Sequence, residues 1–177
     1  MESANHNPLT ILTVGHSNLG LEALLERLRS HEVALVADVR SMPYSRHNPQ
    51  FNREPFAKAV SAAGLSYQFL GDRLGGRPRD PDCYTNASAS LHSEWILDYG
   101  IVLQKPWFRE GFEALLDFAR RSRTVLLCAE EDPRRCHRHL LLARALLPLG
   151  VDVLHLRGHG GLERAELDAD DPQRSLF

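Results

Sequence analysis

Apolar and polar positions alternate between two rhythms along this chain. Near-continuous apolar runs occur at Ile11–Val14, Val33–Val39, Leu65–Leu70, 124–128 and Val151–Leu156. Runs of that length and continuity predict strands covered on both faces, the pattern of a parallel sheet. Between them the apolar positions fall three or four apart. Leu21, Leu24, Leu25 and Leu28 form one such stripe, and Phe56, Val60 and Ala63 a second. Phe108, Phe112, Leu115, Leu116 and Ala119 form a third, and a last helix is predicted from about 135 to 148 around Leu140-Leu141-Leu142-Ala143. Asn52 is placed to cap the second helix, Gly64 to stop it, and Pro106 to open the third. A short helix is expected over about 91–103. Residues 71–90 carry Gly71, Gly75, Gly76, Pro78 and Pro81, which break any regular pattern.

Strands alternating with helices predict an α/β class: a single domain with a largely parallel sheet of about five strands, covered by helices on both faces. The domain is expected over residues 10–167, between an N-terminal tail, 1–9, and a flexible C-terminal tail, 168–177. A chain of 177 residues suits one core, and no internal repeat is visible.

Composition narrows the functional classes. Lys and Arg total 21 against 23 Asp and Glu, a formal charge of −2. No global basic field is available for strong nonspecific nucleic-acid binding. The 3 cysteines are an odd count in a chain large enough to fold without staples. We therefore expect a reducing compartment, no disulfide, and no tightly held structural zinc. Residues 1–10 hold no apolar signal core, and no apolar run is long enough for a bilayer. The expectation is a soluble, cytoplasmic protein without a membrane partner.

Candidate chemistry collects where the predicted strands end. His16 and Ser17 follow the first strand, Asp38 and Arg40 the second, Asp72 and Arg73 the third, Cys128 and Glu130 the fourth, and His155 and Arg157 the last. In a parallel sheet all these ends share one edge, where ligands of open α/β sheets bind. The 40–52 loop sets Arg40, Arg46, Asn48, Gln50 and Asn52 around Tyr44 and Phe51, and Arg77 can extend that patch. Guanidinium and amide groups suit phosphate oxygens and base edges, and aromatic rings offer stacking surfaces. Asp38 can serve as a base or metal ligand, or simply pair with an Arg.

The stretch from Cys128 to Arg138 admits three readings. Five residues separate Cys128 from Arg134, as in a phosphatase-like cysteine loop, but Glu130, Glu131 and Asp132 would repel phosphate. Cys128, Cys136, His137 and His139 could bind zinc, although the spacing fits no paired-ligand pattern and His137 and His139 point differently on a helix. In the third and preferred reading the cysteines only pack, and Glu130, His137 and Arg138 carry the function.

Gly15-His16-Ser17, Asp38–Pro43, Asn48–Asn52, Leu74–Arg77, and Cys128–Pro133 with Cys136–Arg138 occur in an order that resembles the bacterial "domain of unknown function 488" family. The resemblance spans about residues 10–157. It implies an α/β domain and supplies no agreed reaction.

The leading expectation is a domain that binds or processes a phosphate-bearing ligand, nucleic acid or nucleotide, in DNA maintenance, as a hydrolase if bonds are broken. His16, Asp38, Glu130 and His137 are the candidates for proton transfer. Ser17, Arg40, Arg46, Asn48, Arg77 and Arg138 are the candidates for ligand binding. The alternatives are a noncatalytic adaptor between nucleic acid and protein, and a thiol- or metal-dependent enzyme. No cofactor is indicated. The terminal Gln173-Arg-Ser-Leu-Phe177 resembles the bacterial sliding-clamp-binding pentapeptide, with Arg174 in place of the usual Leu. Gln173, Leu176 and Phe177 would make that contact.

Overall fold

A computed structural model describes residues 8–86 and 95–167 of the chain. The apolar runs become strands β1 (Thr10–Gly15), β2 (Leu35–Asp38), β3 (Ser66–Phe69), and, later in the chain, β6 (Thr124–Cys128) and β7 (Asp152–Leu156). All five pair in parallel, in the spatial order β3-β2-β6-β1-β7. A short strand, β8 (Leu162–Arg164), adds antiparallel to β7 and completes a sheet of 6 strands. A separate antiparallel pair joins β4 (Tyr84–Asn86) to β5 (Trp95–Leu97).

Successive strand residues face opposite sides, and both sides are covered. On one, Leu12, Val14, Val36, Val125 and Leu127 meet helices α1 (Leu21–Ser30) and α2 (Arg53–Ala62) through Leu24, Leu28, Phe56 and Val60. On the other, Ile11, Leu35, Ala37, Leu126 and Val153 meet α5 (Pro106–Arg121) and the final helix through Phe108, Leu115, Leu141, Leu142 and Leu146. That final helix starts as a π-helical stretch, Arg138–Ala143, continues α-helical over Arg144–Leu146, and closes as a 3-10 turn, Leu147–Leu149. Two short helices, α3 (Gly71–Leu74) and α4 (Tyr99–Gln104), lie among the loops.

The chain moves outward from β1 to β2 and β3 by way of α1 and α2, and in the opposite direction from β6 to β7 by way of the final helix. The order therefore reverses between β1 and β6. This switch point opens a crevice at the carboxyl ends of the two strands, the usual ligand position in such sheets.

Two local expectations need correction. The helix expected over 91–103 begins only at Tyr99, because Trp95–Leu97 pairs with Tyr84–Asn86 instead. Asp98 then caps α4, its carboxylate accepting from the Ile101 amide at 3.2 Å. Residues 91–94 lie outside the described part. Asn52 stands at the start of α2 but does not cap it through its side chain, since its Oδ1 accepts from the Ser45 amide at 2.7 Å. Gly64 does end α2, at φ +81°, and Pro106 does open α5.

Candidate active site

The crevice is shaped first by backbone. The His16 and Ser17 amides donate to the carbonyls of Cys128 and Ala129 at 2.9 and 2.8 Å, which extends the β1–β6 pairing beyond the strands. Glycine is needed at position 15 for this closeness, because a Cβ there would lie 1.7 Å from the Glu130 carbonyl oxygen. Ser17 adopts a positive φ of 42° to turn the chain away.

Above this floor lie two adjoining cavities that share Arg40, Met42 and Ala129. The first, of about 420 Å³, is walled by Cys128, Cys136 and His137 and rimmed by Arg77, Glu130 and Arg135, with Tyr99 to one side. The second, of about 330 Å³, is lined by His16, Ser17, Tyr44 and Asn48. Met42 and Tyr44 are 74% and 68% exposed, leaving an apolar surface beside polar groups.

Arg40 is fixed from all sides. Its Nε and Nη2 donate to the two oxygens of fully buried Asp38 at 2.8 and 2.6 Å, and its Nη1 donates to the Phe51 carbonyl at 2.7 Å. Tyr67 donates its hydroxyl to the same Asp38 carboxylate at 2.8 Å. Burial, with the Asp38 charge behind it, pushes the Tyr67 phenol above its ordinary range. Asp38 is thus saturated with donors, an orienting carboxylate rather than an open base. Arg40 Nη1 also approaches His16 Nε2 at 3.3 Å, while His16 Nδ1 is 3.2 Å from the Ser17 carbonyl. A guanidinium only donates and a carbonyl only accepts, so the His16 proton sits on Nδ1. Burial, reinforced by the Arg40 charge, lowers this imidazole to about 4. The ring stacks on Phe51, with centroids 4.1 Å apart.

The same logic fixes His137. Its Nε2 lies 3.0 Å from the Val39 carbonyl oxygen and must donate to it. The lone pair of Nδ1 then faces Cys128 Sγ at 3.8 Å and Cys136 Sγ at 3.6 Å. All three ligand-type atoms lie within 4.8 Å of one another, and all three residues are buried. Gly76 closes the far side, since a Cβ there would come within 2.8 Å of the His137 ring. The two thiols are unequal. Cys128 donates to Cys136, and the Arg138 charge adds to the pull, so Cys136 is held well below the ordinary thiol range. The same hydrogen bond, together with burial, pushes Cys128 up.

Of the residues singled out in the sequence, His16, Ser17, Arg40, Asn48, Arg77, Glu130 and His137 line the two cavities. Arg46 is exposed and lines neither. Arg138, expected to hold phosphate, is fully buried and turned the other way. It donates to the carbonyls of Glu130 and Glu131, to Thr13 Oγ1 at 3.4 Å and to Cys136 Sγ at 3.4 Å, so it supports the loop from beneath. Arg134, the residue a phosphatase-like loop would use, is 73% exposed and pairs with Glu163 at 3.4 Å. His139 leaves the thiol cluster and meets His155 at 3.1 Å on another wall. The sequence reading passed over Arg135 and Tyr99, which also line the first cavity. Arg135 sits one place before Cys136 and was legible as part of that loop, whereas Tyr99 carried no local signal. Gln173, Leu176 and Phe177 lie outside the described residues.

A doubly wound α/β domain with a thiol–imidazole cavity at its switch point is the class that fold and site define. A family model for the domain of unknown function DUF488 matches residues 20–145, and the chain belongs to that family. The matched stretch holds Arg40, Arg77, Cys128, Cys136 and His137, and begins just after His16 and Ser17. No curated protein and no solved structure matches the chain.

Proposed function

We propose that the paired cavities bind a phosphate-bearing ligand of nucleotide size. The observation that carries this reading is the division of labour across Arg40. On one side Arg77 and Arg135 offer exposed guanidinium groups, and neither forms an ion pair among the described residues. On the other, exposed Tyr44 lies beside Asn48 and Ser17, a stacking surface with amide and hydroxyl groups at its edge. Phosphate suits the first side and a base the second. The volumes match those of small-molecule sites, roughly 300–1,000 Å³. With a net charge of −2, a free nucleotide or a strand end fits better than a duplex. Where bonds are broken, hydrolysis is the reaction class we propose, with Glu130 as the acid–base group at the reacting end.

Three free, buried cysteines agree with a reducing compartment such as the cytoplasm. No helix among the described residues is long and apolar enough to cross a membrane. A role in DNA maintenance rests on the Gln173–Phe177 resemblance.

The experiment is calorimetric titration of nucleoside mono-, di- and triphosphates and short single-stranded DNA at several salt concentrations, paired with an assay for released phosphate. We expect binding of at least one nucleotide, weakened tenfold or more in R77A/R135A, which corresponds to about 1.4 kcal/mol or more. Binding without turnover identifies the noncatalytic form of the reading. No binding by the parent chain, or equal binding by the double variant, overturns it.

A further inference from the structure

We infer that Cys128, Cys136 and His137 form a zinc site whose fourth position opens to the cavity. The inference stands on the cluster itself and does not depend on the phosphate reading. Zinc–sulfur bonds of about 2.3 Å and zinc–nitrogen bonds of about 2.0–2.1 Å at a tetrahedral angle set sulfur and nitrogen about 3.5 Å apart. The two sulfur–nitrogen distances here are 3.8 and 3.6 Å. The ligands are therefore arranged close to a coordinating geometry before any metal arrives.

Two features around the cluster favour coordination over plain packing. His137 is held in the tautomer that presents its Nδ1 lone pair to both sulfurs, because Nε2 donates to the Val39 carbonyl. Such a backbone anchor on the distal nitrogen is the usual outer-shell partner of a ligating histidine. Arg138 is fully buried and forms no salt bridge with a carboxylate among the described residues, and its Nε points at Cys136 Sγ. Its Nε lies 3.4 Å from that sulfur, which holds Cys136 Sγ in place beside the other two donor atoms.

The ligand set also states what kind of site this is. Structural zinc is closed by four protein ligands, whereas three ligands and an open position mark a site that takes water or substrate. Among the described residues the cluster contains three, all of which line the first cavity. His139, the fourth candidate in the sequence, is turned toward His155. Arg77 and Arg135 line the same cavity as the three ligands. Loading releases the Cys128 thiol proton to solvent and forms two metal–sulfur bonds and one metal–nitrogen bond, with no redox change.

The test uses the full chain, stripped with a chelator and titrated with Co²⁺ alone and then Zn²⁺ alone. We expect one Co²⁺ per chain, with a thiolate-to-cobalt charge-transfer band and visible bands of tetrahedral intensity, both abolished by one equivalent of Zn²⁺. Zn²⁺ should also shield Cys128 and Cys136 from alkylation in the parent chain, a readout that needs no variant to fold. C128S, C136S and H137A should each weaken binding by more than the roughly 10- to 100-fold typical of losing an outer-shell partner. H139A should retain it. R77A/R135A should keep the cobalt spectrum, so failure of the metal site and failure of nucleotide binding are read separately. Absence of the thiolate band in the parent chain, or its persistence in C128S/C136S, would overturn the inference.

Discussion

At the scale of single residues, the site is built on one buried ion pair. Asp38 is fully buried and Arg40 is 6% exposed, joined through two charge-assisted hydrogen bonds. Such a pair is weak support for stability when intact, yet removing one partner strands the other charge. We therefore expect Asp38→Ala to cost about 3–5 kcal/mol in urea unfolding. Tyr67→Phe, which removes only one donor from that carboxylate, should cost about 1–3 kcal/mol. A buried imidazole gives a second prediction. Burial, then the neighbouring His139 and Arg138, lowers His155 to about 4 from its ordinary 6.5. Its Nδ1 lies 2.7 Å from the Thr13 hydroxyl, which accepts from Arg138, and its Nε2 meets His139. The unfolded chain takes up the proton first, so stability should be level above pH 6.5 and fall as the pH drops from 6.5 toward 4. At about 1.4 kcal/mol per pH unit the loss approaches 3 kcal/mol. His16, also lowered to about 4, titrates over the same range, so His155→Gln should make that part of the profile shallower without flattening it, and a parallel profile for parent and variant would refute the assignment. The pairing of Asp38 with Arg40 was legible as an option, because the two residues follow a buried strand two places apart. The burial of Arg138 was not legible: its position depends on how the final helix lies against β1, which no local pattern records.

At the scale of elements, the same helix decides which groups meet. His137, at the cap just before its π-helical start, faces the thiols, while His139 within that stretch faces His155 on β7, and π-helical turns are often found at functional sites. The sequence showed that a helix followed the Cys128 loop and that the two histidines would diverge. It did not show that Cys136 and His137 would meet Cys128, because spacing alone matched no paired-ligand pattern. The long parallel strands were legible from their continuous apolar runs. β4, β5 and β8 are 3 residues each, too short to display a period. Two glycines offer a test of how loops and helix are fitted. A Cβ at Gly15 collides with backbone at 1.7 Å, which cannot move without parting β1 from the Glu130 loop. A Cβ at Gly76 collides with the His137 side chain at 2.8 Å. Overpacking of this kind costs about 1–3 kcal/mol. Gly15→Ala should therefore lower the melting temperature more than Gly76→Ala. Gly76→Ala should instead disturb the thiol–imidazole cluster, read as a changed cobalt spectrum in a chain that still melts cooperatively.

At the scale of the whole molecule, the motifs that mark the family lie far apart in sequence and converge on one sheet edge. That convergence followed from the α/β reading alone, since parallel strands share their carboxyl ends. The switch point between β1 and β6 did not, because it needs the strand order. The C-terminal segment belongs to a different kind of argument, one that sequence alone carries. Asp168, Asp170, Asp171 and Pro172 precede Gln173–Phe177, a charged composition that disfavours burial in an apolar core. In the motif it resembles, Gln makes a polar contact while Leu and Phe enter an apolar pocket, and Leu176 and Phe177 supply that pair here. Burying two such side chains contributes a few kcal/mol, on the order of 1.5–3 each, and ordering the segment offsets part of it. The expected outcome is micromolar binding to the bacterial sliding clamp, lost in a chain that stops at Pro172. Arg174 replaces the usual Leu, so Arg174→Leu should tighten the complex if the segment docks as the motif does. Titration of all three chains against purified clamp checks this. Equal binding by the full and shortened chains, or none by either, would remove the link to DNA maintenance and leave the cavity to define what the protein does.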